Sequence, residues 1–147
     1  MKIYNRRARH NYEILEKVEA GISLLGFEAR SVREGGINID EAYVRFKNGE
    51  AYLINAYVNP HRFASPENFD PRRDRKLLLH RKELLNLEGK MKQKKLTLVP
   101  VAVYNKGHLV KLEVALARGK KQYEHREAIK RRDLERDIEI ELKNGDV

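Results

Sequence analysis

The chain has 147 residues, with 31 Lys and Arg against 22 Asp and Glu, a net charge of +9 and no Cys. That length suits one domain with a real core, and a pI of about 9.7 calls for a polyanionic partner, nucleic acid ahead of a membrane surface. Zero Cys excludes disulfides, thiolate zinc sites and thiol nucleophiles. With no apolar run of about 18 residues and no signal-peptide core, a cytoplasmic protein is expected.

The first ten residues carry Lys2, Arg6, Arg7 and Arg9 with no acid among them, a basic arm suited to phosphates or simply a solvated terminus. Residues 11–25 mix Tyr12, Ile14, Leu15, Val18, Ile22, Leu24 and Leu25 with Glu13, Glu16 and Glu19. Their period is ambiguous between a long bent strand and a helix, and Gly21 suits a bulge or bend. Residues 26–34 allow a short helix that Gly35-Gly36 stops. Residues 42–46 and 51–58 read as a hairpin around Asn48-Gly49. Residues 59–75, with Pro60, Pro66 and Pro71, read as a long loop. Residues 74–94 read as a helix capped by Asp74, with Leu77, Leu78, Leu84, Leu85 and Met91 on one face. Residues 96–104 and 109–117 form a second hairpin, in which Val110, Leu112, Val114 and Leu116 alternate with Lys111, Glu113, Ala115 and Ala117.

At Gly119 that alternation stops. From there to Arg136 seven Lys and Arg stand against four acids. Such a segment buries too little to offset its own ordering entropy, so it is expected to order only against an anionic partner. At least five strands and two helices predict a mainly β fold: a small antiparallel OB-like barrel with flanking helices and a basic C-terminal tail. Arg and Lys clusters beside Tyr4, His10, Tyr12 and Tyr123 favour RNA, because aromatic rings stack on bases while cations hold phosphates.

Catalytic patterns are sparse. The five His are scattered, the three Ser lie in no nucleophile elbow, and no phosphate-cradling glycine motif is present. No catalytic residue, metal site or cofactor is expected. Glu13, Glu16 and Glu19 leave a metal-dependent nuclease as the enzymatic alternative, and a constitutive ribosomal protein is the structural one. Glu19, at the bend, is placed to brace a basic side chain.

Several short stretches, in this order and spacing, carry a resemblance: Asn5-Arg-Arg-Ala-Arg-His-Asn-Tyr12, Glu19-Ala-Gly-Ile22, Gly26-Phe-Glu-Ala-Arg-Ser31, Arg33-Glu-Gly35, Asn48-Gly-Glu50, Arg75-Lys-Leu-Leu-Leu79 and Ala117-Arg-Gly-Lys-Lys-Gln-Tyr123. Over nearly its whole length the chain resembles the SmpB family, the tmRNA (SsrA RNA)-binding proteins of bacterial trans-translation. The resemblance implies an OB-fold body, residues 1–118, that binds the tRNA-like domain of tmRNA. It also implies support of alanylation by alanyl-tRNA synthetase and delivery with elongation factor Tu to stalled ribosomes. The tail, residues 119–147, would enter the empty mRNA channel near the small-subunit decoding centre and become helical there. By position, the implied RNA contacts are Asn5, Arg7, His10, Tyr12, Glu19, Lys76, Leu78, Lys111 and Ala117. The implied ribosome-facing residues are Gly119, Lys120, Lys121, Tyr123, Arg126, Ile129, Lys130 and Arg131. Two departures stand out: His125 occupies a position where the family usually has lysine, and residues 137–147 are net acidic.

Overall fold

A computed structural model describes residues 1–60 and 66–120. Expectations that fall on 61–65 and 121–147, including the tail residues from Lys121 to Arg131, lie outside the described residues.

In chain order the elements are β1 (Lys2–Tyr4), α1 (Arg6–Asn11), β2 (Tyr12–Ile22), α2 (Gly26–Arg33), β3 (Ile37–Asn38), β4 (Tyr43–Lys47), β5 (Glu50–Ile54), β6 (Tyr57–Val58), β7 (Arg75–Leu78), α3 (Arg81–Lys94), β8 (Thr97–Lys106) and β9 (Leu109–Gly119). Seven strands form one sheet in the order β1-β8-β9-β2-β7-β5-β4, and β3 pairs separately with β6. All pairings are antiparallel. The long sheet curls until β4 meets β8, but no backbone ladder joins them. The fold is therefore mainly β and OB-like, with a barrel that does not close.

Two bulges sort the side chains between faces. In β2 the pairing with β9 slips between Ile14 and Glu16, which leaves Leu15 as the extra, exposed residue. One inserted residue reverses which parity faces inward. Thus Tyr12 and Ile14 pack on the outer face with Val99, Val101, Ala115 and Ala117, while Val18, Ala20 and Ile22 join the barrel core. This reversal is why residues 11–25 show no clean period of two. The bulge lies here and not at Gly21, which pairs regularly with Lys111 and Leu78. A second slip in β8, between Pro100 and Ala102, repeats the device.

The second bulge also explains the first ten residues. Asn5 is buried. Its backbone N–H donates to Val101 O at 2.8 Å and its Nδ2 to Pro100 O at 2.8 Å. Its Oδ1 accepts from the Arg7 and Ala8 amides, both at 3.1 Å, as an N-cap. The expected arm is therefore a strand and a short helix docked on the bulge.

The helix expected over 74–94 is corrected. Its first residues form β7: Leu77 points into the core and Leu78 outward, the period of a strand. The helix begins at Arg81. His80 is its cap, not Asp74, and Glu83 accepts from the His80 amide at 3.4 Å. Leu84 and Leu87 form the buried face, whereas Leu85 is exposed. The sequence hides this boundary because Leu77-Leu78-Leu79 continues a leucine pattern across it. The Asn48-Gly49 turn is as expected, with φ of 52° and 77°.

Burial of charge fixes β7. The Arg75 and Glu28 side chains are both 0% exposed. Arg75 places all five of its N–H groups: Nε and Nη2 on Glu28 Oε2 at 2.9 and 2.5 Å, Nη1 on Ala56 O and Arg73 O, and Nη2 also on Pro71 O. Arg73 closes the other side of Glu28. Burial alone would raise the Glu28 carboxyl pKa. The bonds from Arg73, the Leu25 amide and Arg75 outweigh it and hold the group below its usual value.

Candidate nucleic-acid interface

The registers place one row of side chains straight across five strands of the outer face. Lys2 on β1 lies opposite Tyr104 on β8, Tyr104 opposite Lys111 on β9, Lys111 opposite Gly21 on β2, and Gly21 opposite Leu78 on β7. Directly opposite residues share a face. The row reads cation, aromatic, cation, gap, leucine.

The gap is Gly21. A Cβ there would lie 3.1 Å from Leu78 Cβ, so a side chain would crowd Leu78. Without one, a shallow trough of about 480 Å³ opens, lined among others by Glu19, Gly21, Lys76, Leu78, His80 and Lys111. Leu78 is 54% exposed on its wall. An exposed leucine between lysines suits a sugar or base packed against it while the ammonium groups hold phosphates. The structure thus brings together four sequence-implied residues, Glu19, Lys76, Leu78 and Lys111. It adds His80, Gly21, Tyr104 and Lys106, to which the sequence assigns no binding role. A register across β8, β9 and β2 would have found Tyr104, but the two bulges hide that register.

Glu19 does brace a basic side chain. Its Oε2 accepts from the Tyr104 hydroxyl, and its Oε1 accepts from Lys106 Nζ at 3.3 Å. The Tyr104 bond, then Lys106, hold the Glu19 carboxyl below its usual range. Tyr104 is pushed up to about 12, by burial first and then by the bond it donates to Glu19. At neutral pH the phenol is therefore a donor and the carboxylate an ionised acceptor.

A ladder of cations and rings continues from this trough to the root of the tail. Lys2 Nζ lies 5.7 Å from the Tyr104 ring and 5.2 Å from the Tyr4 ring. The Arg9 guanidinium lies 5.2 Å from the centre of the same Tyr4 ring, and Lys120 Nζ donates to Arg9 O at 2.7 Å. Such contacts hold cations in place over exposed rings. Tyr12, Ala117 and Gly119 line a second hollow with Asn11 and Lys95. His10 sits in the last turn of α1.

The remaining implied residues are placed differently. Asn5 is fully used in anchoring α1, and the Ala117 side chain is buried in the outer cluster. Arg7 turns away to Glu41 at 3.3 Å and lines a separate polar cleft with Arg72 and Tyr57. Glu16 and Glu19 do not converge: Glu16 bonds Lys90 on α3 at 2.7 Å, while Glu19 bonds Tyr104 and Lys106 on β8. Among the described residues no group of three or more His, Asp or Glu is placed to hold a metal ion, and no helix is long and apolar enough to cross a membrane.

An open OB-like barrel with a cation-and-ring row across its outer strands defines a nucleic-acid-binding β-protein. The family model described as "SmpB protein" matches residues 2–144. An SsrA-binding protein of Persephonella marina is 50% identical over 139 residues, which is 95% of this chain and 91% of that protein. One from a Sulfurihydrogenibium species is 51% identical with the same coverage, and one from Microcystis aeruginosa is 51% identical over 140 residues, 95% of this chain and 91% of that protein. A solved chain described under "tmRNA-SmpB: a journey to the center of the bacterial ribosome" is 52% identical. It aligns with a TM-score of 0.66 over 81% of this chain and 84% of its own. The chain belongs to the SmpB family.

Proposed function

We propose that this chain is the tmRNA-binding protein of trans-translation in its cell and that it grips the tRNA-like domain with the outer face of β1, β8, β9, β2 and β7. The observation that carries this reading is the Lys2–Tyr104–Lys111–Gly21–Leu78 row, with Glu19 and Lys76 beside it. Arg, Lys and exposed rings supply a salt-dependent hold on phosphates, and the Leu78 trough supplies shape. His10, Tyr12, Gly119 and Lys120 extend the face toward the tail.

The finer assignments belong to the same reading. The body, residues 1–118, supports alanylation of tmRNA by alanyl-tRNA synthetase and travels with it and elongation factor Tu in the cytoplasm. The tail, residues 119–147, acts on the ribosome, with Lys121, Tyr123, Arg126, Ile129, Lys130 and Arg131 facing the decoding centre and mRNA channel. The chain performs no chemistry of its own.

Gel-shift titration with the tRNA-like domain tests the surface. Lys111→Glu is expected to weaken binding at least tenfold, by loss of one phosphate contact and gain of a repulsive charge. Lys92→Glu, on α3, where Lys92 pairs with Glu88, serves as the control. Equal losses from the two reject the assigned face. Removal of residues 121–147 is expected to leave this titration unchanged and to abolish peptide tagging on stalled ribosomes.

A further inference from the structure

A carboxylate in the middle of an RNA-binding face needs a reason. Glu19 meets the same phosphates as its basic neighbours, and by charge alone it repels them. Its two oxygens are both engaged, one by the Tyr104 hydroxyl and the other by Lys106 Nζ. Tyr104 is itself held from both sides. It stands opposite Lys2 on β1 and Lys111 on β9, and Lys2 Nζ lies 5.7 Å from its ring.

We infer that Tyr104 is a positioning residue of this face: its hydroxyl aims the Glu19 carboxylate, and that carboxylate holds the Lys106 ammonium ready for a phosphate of the RNA. The inference rests on the assignment of tmRNA to the outer face. Lys106 is otherwise a free lysine at the end of β8, with 66% of its side chain exposed. Such a side chain loses most of its rotamer freedom when a phosphate captures it. A tether to Glu19 removes part of that freedom before the RNA arrives, which is preorganisation. The Tyr104 hydroxyl has a specific task here. A carboxylate bound only by a lysine follows that lysine as it moves, whereas one bound also by a phenol rooted in the strand cannot. The row geometry agrees, because Tyr104 stands between Lys2 on β1 and Lys111 on β9, within the same row that reaches Gly21 beside Glu19.

The charge change gives this role a signature of opposite sign to simple electrostatics. Glu19→Gln makes the face more positive by one unit. If charge alone mattered, that variant would bind RNA more tightly and with a steeper salt dependence. With Glu19 acting as a tether it binds more weakly. Tyr104→Phe changes no charge, keeps the ring and removes only the hydroxyl.

The test is a titration of the full chain with the tRNA-like domain of tmRNA over a series of salt concentrations. It uses Tyr104→Phe, Glu19→Gln, the double variant, and Tyr104→Phe in a Lys106→Ala background. Each single variant is expected to weaken binding by about threefold to tenfold, the net worth of one ordinary hydrogen bond. The double variant loses no more than the larger single. The log–log salt slope of Tyr104→Phe falls by up to about 0.9, one phosphate contact. In the Lys106→Ala background Tyr104→Phe has no further effect. A Tyr104→Phe chain that binds as well as wild type, a Glu19→Gln chain that binds more tightly, or losses that add in the double variant each overturn the inference. So does Tyr104→Phe lowering the melting temperature in step with affinity, which makes the role structural. If Tyr104→Ala alone loses affinity, the ring stacks on RNA and the hydroxyl positions nothing, which also overturns it. Failure of the wild-type chain to bind this RNA at all is the separate result that removes the assignment of the face.

Discussion

Arg75 is where the fold and the proposed RNA-binding face depend on one side chain. It is the first residue of β7, the strand that carries Lys76 and Leu78 to the trough. Replacing it by Met keeps the length and removes five hydrogen bonds, two to Glu28 and three to the carbonyls of Ala56, Arg73 and Pro71. The Pro71 carbonyl keeps a partner in the Val58 amide, and Glu28 keeps Arg73 and the Leu25 amide. The loss is therefore that of breaking a buried ion pair without stranding every group, about 3–5 kcal/mol. In a chain of this size that is about 10–15 °C in Tm. Glu28→Leu falls in the same range, since it leaves the Arg75 guanidinium buried without its anion. The double variant Arg75→Met with Glu28→Leu removes both charges together and is expected to recover much of either loss. The pH dependence follows from the lowered Glu28 carboxyl. Its contribution is present above the unfolded pKa of about 4.3 and is lost as pH falls through the folded value. Glu28→Gln removes that part of the acid slope. Urea unfolding followed by circular dichroism, at neutral pH and through the acid range, reads all of this. Additive losses in the double variant, or an Arg75→Met chain within about 1 kcal/mol of wild type, would refute the reasoning.

Other outcomes follow from single residues. Asn5→Ala removes the α1 cap and the bond to Pro100 O, at a cost of about 2 kcal/mol in denaturant unfolding. It is also expected to weaken RNA binding by releasing Arg9 from its place over the Tyr4 ring. Gly49→Ala, at φ of 77° in the tight turn, is expected to cost about 1 kcal/mol in the same assay with no change in RNA affinity. Lys76→Ala is expected to lower the log–log salt slope of RNA binding by up to about 0.9, with Tm unchanged, since the Lys76 ion pair with Glu50 is exposed and spans 3.8 Å.

What the sequence made legible was the local chemistry. The Asn48-Gly49 turn, the alternation of Val110 to Leu116 and the Gly35-Gly36 stop each follow from a few neighbouring residues, and each is found. What it hid was whatever depends on a partner strand. The Leu15 bulge mixes two faces in one apolar pattern. The role of Asn5 needs the freed carbonyls of a bulge some ninety-five residues away. The strand at Arg75–Leu78 reads as helix because Leu77-Leu78-Leu79 runs on into the leucines of α3, and the buried Glu28 partner that marks Arg75 as strand lies on another element. The same limit applies to the site. Lys76 and Leu78 are visible as members of a short motif and Lys111 as a polar position of the last strand, whereas Tyr104 and Lys106 become visible only when β8 is laid beside β9 and β2.

The proposed face needs more than its cations to be specific. A basic surface alone binds any RNA, because phosphate contacts carry no sequence or shape. Discrimination has to come from features that fix where the cations stand. In this chain the features proposed for that task are uncharged or negative: the missing side chain at Gly21, the exposed Leu78, the Tyr104 hydroxyl and the Glu19 carboxylate. Each is held by the barrel, not by its neighbours in sequence. A substitution among the lysines should therefore shift affinity for all structured RNAs together. A substitution at Gly21 or Tyr104 should narrow the gap between the tRNA-like domain and an unrelated hairpin of equal length. Competition titrations with those two RNAs separate the effects: if Gly21→Ala lowers both affinities equally, the trough contributes no shape recognition and the face is a simple electrostatic one.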